Sequence, residues 1–132
     1  MRLVVPDASA IVEFLLRTSR GDAFEAVLAD PEADIHVPAL CDVEVASALR
    51  RLWLMKALSD ERRDEALADY LDFTLTRHGH VDLLPRVLAL GANLSAYDAV
   101  YAALAEALGA ALVTSDERLR RSVTAHTGVR VS

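Results

Sequence analysis

The sequence predicts an α/β fold, a parallel sheet with helices on both faces, built as one domain over residues 1–132. Three observations predict it. Short apolar runs of strand length alternate with longer segments of helical period, the pattern of a parallel sheet covered by helices. Two of those runs, at 3–5 and 110–114, are followed within two residues by an acid, Asp7 and Asp116. Hydrophobic residues fill 53% of the 132 positions and charged residues 26%, the balance of a globular protein rather than a disordered one. A chain of this length buries about two-thirds of its unfolded surface and needs no covalent staples.

Composition also narrows the function. No apolar run approaches the ~20 residues of a membrane span. The opening carries one Arg and a three-residue apolar run, too short for a signal-peptide core. The single Cys41 cannot form an internal disulfide, which fits a reducing cytoplasm. Net charge is −6, which argues against binding nucleic acid through bulk positive charge. An enzyme acting on phosphodiesters stays open, because bound cations neutralise clustered carboxylates. The arginines are local: Arg50 with Arg51, Arg62 with Arg63, and Arg118 with Arg120 and Arg121. Such runs are ordinarily solvated helix faces, though one could flank a nucleic-acid groove.

The elements follow in order. Residues 3–6 read as a buried strand, with Asp7 at its carboxyl lip, where open α/β sheets place their ligands. Asp7 is equally well placed to cap the next helix. That helix spans 8–16 and carries Ile11, Val12, Leu15 and Leu16 on one face. A turn at 18–22 contains Gly21, and a second helix runs to about Asp30. Residues 31–34 break it, and 35–37 form a short strand closed by Pro38. His36 there reads as a strand residue rather than a metal ligand. A long helix covers 40–56, with Cys41, Val45, Ala48, Leu52 and Met55 as its buried stripe. At about 100° per residue, Glu44 falls roughly 60° off that stripe, at the edge of the buried face. A carboxylate there must be paired, hydrated or ligated; an ion pair with Arg51 or with an arginine of another helix is the plain alternative. Trp53 reads as core or interface.

A helix from Asp60 to about Thr76 points Leu67, Tyr70, Leu71 and Phe73 inward, and His78-Gly79-His80 closes it. The two histidines could bind metal, but no further ligands stand in register with them. Residues 81–84 read as a strand and 85–90 as a short helix. The helix at 95–108 is apolar nearly all round, with Asp98 and Glu106 its only charges, so it is buried. Ser95 and Asp98 have capping-box spacing, so Asp98 could simply close that cap. After Gly109 comes the strand at 110–114. Thr114 and Glu117 share capping-box spacing, which assigns the cap to Glu117 and leaves Asp116 without a structural task. A helix at 117–125 and a short edge strand at 128–131 complete five strands.

In such a fold the strand lips share one edge, so Asp7 and Asp116 meet there. Asp98 and Glu44 can reach the same edge from the helices that carry them. Acids suit a hard ion such as Mg²⁺ or Mn²⁺, which takes oxygen ligands. Four converging carboxylates without a cation would repel, at about 4 kcal/mol for a pair 4 Å apart at an effective dielectric of 20. Ser9, two residues past Asp7, stands near the ion or its water. No GxGxxG or GxxxxGK[ST] occurs, so a nucleotide cofactor is not expected.

Four motifs in this order form a recognisable set. They are Asp7-Ala-Ser after a strand, Glu44 in Val-Glu-Val-Ala-Ser-Ala-Leu-Arg-Arg, Asp98 in Leu-Ser-Ala-Tyr-Asp-Ala-Val-Tyr, and Asp116 in Leu-Val-Thr-Ser-Asp. The chain resembles the PIN-domain ribonucleases over nearly its whole length, and more closely the VapC toxins of bacterial type II toxin–antitoxin modules. Pro6 and Ser115 depart from the residues usual in that family, and neither removes a ligand. The resemblance implies a five-stranded parallel sheet in an α/β/α sandwich and a Mg²⁺-dependent endoribonuclease that leaves a 5′-phosphate. It implies that Asp7 and Asp98 are the chief metal ligands and that Glu44 and Asp116 complete the acidic pocket. Thr114 and Ser9 are the supporting hydroxyls. It further implies an RNA substrate, a homodimer, and a cognate VapB-like antitoxin that blocks the cleft.

Other classes remain weighable. A receiver-like module would accept a phosphoryl group on Asp7, but receivers carry a late Lys and the only one here is Lys56. A haloacid-dehalogenase-type phosphatase needs a second acid where Ser9 stands. A PIN fold that only binds partners would keep the acids without cleaving RNA.

Overall fold

The computed structural model describes residues 1–132. Four strands occur, β1 (Arg2–Pro6), β2 (Ala33–Pro38), β3 (Thr76–His78) and β4 (Ala111–Val113). Seven α-helices occur, α1 (Ala8–Leu15), α2 (Asp22–Ala29), α3 (Leu40–Leu54), α4 (Asp60–Leu71), α5 (Leu84–Ala89), α6 (Ala96–Leu108) and α7 (Glu117–His126). The strands form one parallel sheet in the order β3-β2-β1-β4. The buried hydrophobic residues make a single cluster that draws on the sheet and on every helix. No helix is long and apolar enough to cross a membrane.

The sheet has four strands, not five. Residues 128–131 reach β4 through one isolated bridge, Leu112 to Val131. Around that bridge the Leu112 N–H donates to the Arg130 carbonyl and the Ser132 N–H to the Leu112 carbonyl, both at 2.8 Å, too short a run to count as a strand. The third strand also lies earlier than the 81–84 run. The helix from Asp60 ends at Leu71, where Phe73 turns into an aromatic cluster with Phe14, Phe24 and Tyr70. The chain then extends into β3. Residues Val81–Leu83 form a 3₁₀ turn instead of a strand. Val81, Leu84 and Leu88 are all exposed, at the i, i+3, i+7 spacing of a helical stripe.

Two further expectations need correction. On α3 the buried positions are Cys41, Val45 and Leu49, while Met55 is exposed. On α4, Ala66 and Tyr70 are buried, and Leu67 and Leu71 face out. Trp53 is partly exposed; its indole donates to Asp60 at 2.6 Å and the Arg63 guanidinium lies 4.6 Å above the ring. Asp42 clamps α3 to its neighbours, accepting from Tyr70 at 2.6 Å and from Arg77 at 2.9 Å. His36 and His78 bond to each other across β2 and β3 at 2.8 Å, with Asp34 3.0 Å from the other His36 nitrogen. Gly109 ends α6 with φ +65°, the left-handed cap that glycine adopts without Cβ strain.

Candidate active site

The register of β1 on β4 builds the site's floor. Val4 pairs with Ala111, Val5 with Leu112 and Pro6 with Val113, and the Asp7 N–H donates to the Val113 carbonyl at 2.9 Å. Asp7 and Thr114 therefore stand side by side at the carboxyl edge of the sheet. The Thr114 hydroxyl donates to Asp7 Oδ2 at 2.7 Å. The Ser9 hydroxyl and the Ala10 N–H donate to Oδ1 at 2.8 and 3.0 Å. Asp7 is thus the N-cap of α1 and a strand-lip acid at once, and it is only 5% exposed. Ser9 and Thr114 also accept the Ser115 and Asp116 N–H groups, at 3.2 and 3.0 Å, which stitches the two lips together.

Asp116 has a structural task after all. Its Oδ1 accepts from the Arg118 and Leu119 N–H groups at 2.9 and 3.2 Å, so it is the N-cap of α7. Glu117, expected to be that cap, pairs with Arg120 at 3.2 Å instead. Asp98 sits in the first turn of α6, where the Ser95 hydroxyl accepts its N–H at 3.1 Å. Glu44 is half-buried on α3, and its partner is not an arginine. The Tyr101 hydroxyl donates to Glu44 Oε1 at 2.6 Å, while Arg51 is exposed in the last turn of the helix. Sequence reasoning missed Tyr101. The available signal was its position three residues after Asp98, hence on the same face of a helix.

Electrostatics tie the acids to one another. None of the four carboxylates takes part in an ion pair. Burial pushes the Asp7 carboxyl above its ordinary range; bonds from Ala10, Thr114 and Ser9 oppose that, and the Asp98 charge adds to it. Burial likewise raises Glu44, against the Tyr101 bond and with the charges of Asp98 and Asp7. Asp98 is raised by burial and then by Asp116, with Ser95 and Arg118 pulling it down. Asp98 is the hub of these couplings: it bears on Asp7 and Glu44, and Asp116 bears on it. Burial also raises the Tyr101 phenol, which stays protonated and can only donate to Glu44.

Four uncompensated oxygen donors are the chemistry a hard divalent cation requires. No three acidic, histidine or cysteine side chains stand close enough together to enclose an ion. The donor set fits Mg²⁺ or Mn²⁺. Neither His36 nor His78 joins it, since each already bonds the other. His80 is the N-cap of the Val81–Leu83 turn.

The family model described as "PIN domain" matches residues 4–123. A curated relative, "Ribonuclease VapC9" of Mycobacterium tuberculosis, is 44% identical over 117 residues, 89% of this chain and 88% of that protein. Among solved structures, Mycobacterium tuberculosis VapC20, described as a "Sarcin-Ricin loop cleaving toxin", superposes with a TM-score of 0.69. It is 14% identical, with 90% of this chain and 94% of that one covered. VapBC2 from Rickettsia felis, bound to a DNA fragment from its promoter, gives 0.65 at 15% identity, covering 98% and 97%.

Proposed function

The chain belongs to the PIN-domain family, and from that premise we propose that it is a metal-dependent endoribonuclease, the toxin of a VapBC-type toxin–antitoxin module. The observation that carries the reading is a set of four acids none of which forms an ion pair, three of them pushed upward by burial and by a neighbouring acid of the set. Asp7 and Asp98 are the chief ligands for Mg²⁺ or Mn²⁺, and Glu44 and Asp116 complete the pocket. When bound, such an ion acidifies an attacking water and offsets charge on the scissile phosphate. The chain's own part is positional. Ser9, Thr114 and the Ala10 N–H hold Asp7 in one orientation, Tyr101 holds Glu44, and the α7 cap holds Asp116. The name of the VapC9 relative and its high coverage support an RNA substrate. The VapBC2 complex among the structural neighbours supports a cognate VapB-like antitoxin as partner. A homodimer is part of the same reading.

Incubating the protein with RNA and Mg²⁺ tests it. Cleavage is expected, lost on adding EDTA, restored by excess Mg²⁺ or Mn²⁺, and absent from a folded Asp7→Asn variant. Cleavage that survives chelation or persists in Asp7→Asn contradicts it.

A further inference from the structure

Three arginines sit close together early in α7, and the fold treats them differently. Arg120 is committed: its guanidinium donates to the Thr114 and Ser132 carbonyls at 3.0 and 3.1 Å and pairs with Glu117. Arg121 is exposed. Arg118 is also exposed, but its guanidinium has no hydrogen-bond or ion-pair partner, and it lines a recess of about 250 Å³ together with Asp98. Its charge is the one positive influence on that carboxyl.

The rest of the recess is rich in uncommitted donors. Asn93 and Ser122 line it with side chains that bond nothing else in the chain. The Ser95 hydroxyl accepts from Asp98 and so keeps its own proton free to give. Three neutral donors and a guanidinium fork around one opening suit an anion, and the fork matches phosphate geometry in a way an ammonium does not. The volume falls below the ~300–1,000 Å³ of pockets that enclose a whole small molecule. It suits one unit of a polymer passing across the surface. Asp98 itself lines one side of the recess, so a strand lying across the acids would run into it.

We propose that Arg118, with Asn93, Ser95 and Ser122, forms a subsite between α6 and α7 that anchors a backbone phosphate of the RNA strand flanking the scissile one. This rests on the endoribonuclease reading. It also answers how a chain of net charge −6 holds a polyanion: one local cation placed beside the acids replaces a broad basic surface.

The test uses Asp7→Asn as a cleavage-dead background and a fluorescent pool of short single-stranded oligoribonucleotides of mixed sequence. Fluorescence anisotropy at several salt concentrations reads Kd and its salt slope. Adding Arg118→Ala weakens binding about 10-fold, the loss of one charge-assisted contact. It also flattens the slope of log K against log salt by about 0.7, the share of one phosphate on a single strand. Arg118→Lys restores most of the slope. In the protein with Asp7 intact, Arg118→Ala raises KM by more than it lowers kcat. If Arg118 serves only to lower the Asp98 carboxyl, the variant shifts the pH profile of cleavage while Kd and slope stay put, and the anchor is overturned. Unchanged binding with Asp7→Asn inactive overturns the anchor alone. Cleavage that persists in Asp7→Asn overturns the endoribonuclease reading, and the anchor with it.

Discussion

Asp42 and Glu44 stand two positions apart on α3 and meet opposite fates. Burial tends to raise Asp42, but Arg77 and Tyr70 outweigh it and hold the carboxyl below its usual range. Glu44 has only the Tyr101 hydroxyl, and it ends up raised. Tyr101 is therefore the one group orienting a half-buried acid. Tyr101→Phe should lower RNA cleavage by about 10- to 100-fold, as loss of a partner beyond the ligands ordinarily does; cleavage equal to wild type would show that Glu44 needs no orienting. Asp7 allows a stability prediction with a definite sign. Its folded pKa lies above the ordinary 3.8, so the folded state binds the proton more readily than the unfolded one. The resulting stabilisation is complete below 3.8 and is lost as pH rises through the folded value. At neutral pH the ionised carboxyl is a cost. Asp7→Asn, without divalent ions, should melt at or above the wild-type temperature; a clearly lower melt would mean the carboxylate is needed for folding. At this scale the sequence made Asp7 visible but posed capping and function as alternatives. A carboxylate has about four lone-pair sites, so one residue can do both.

At the scale of elements, α1 carries the Asp7 cap and Ser9, and its position is set by a close approach. A Cβ on Gly21 would lie 2.6 Å from the Phe14 Cα and 2.8 Å from its nitrogen. Those are backbone atoms, which cannot swing aside as a side-chain tip can. Gly21→Ala should cost about 1–3 kcal/mol in chemical denaturation, the usual range for overpacking; an unchanged midpoint would mean α1 and the Ser19–Gly21 turn separate freely. Long periodic elements were legible in the sequence. The helix at 95–108, apolar nearly all round, is the buried α6, and the runs at 3–6 and 110–114 mark β1 and β4. Short apolar runs were not. Val81-Asp-Leu-Leu has strand-like content, yet its period is helical. Strand β3 hides in Thr76-Arg77-His78, which alternation alone does not mark; the Arg77 bond to Asp42 and the β2 register hold it in place. The capping role of Asp116 was assigned to Glu117 for a related reason: cap geometry depends on where α7 begins, which spacing alone does not give.

Across the whole molecule, the site is assembled from residues 7, 44, 98 and 116, held by four different segments. Their types and order were legible; that the Tyr101 hydroxyl reaches Glu44 from α6, and that none of the four forms an ion pair, was not. The shared upward shift has a functional consequence. Asp7, Glu44 and Asp98 each hold a proton to higher pH than an ordinary carboxyl, and only the ionised form ligates a cation. Acidification should therefore reduce cleavage and metal affinity beginning above pH 4.5, the ordinary glutamate value. A rate that holds level until below that point would indicate unperturbed acids.

The most direct measurement is a Mn²⁺ titration of the folded protein, followed by isothermal calorimetry, on wild type, Asp98→Asn and a surface control, Asp64→Asn. Saturable binding is predicted for wild type and the control, weakened at least about 10-fold in Asp98→Asn. At 100 times its dissociation constant, the ion should also add about 2.7 kcal/mol to wild-type stability. Equal binding by all three proteins, or none by wild type, would contradict a single cation site among these acids.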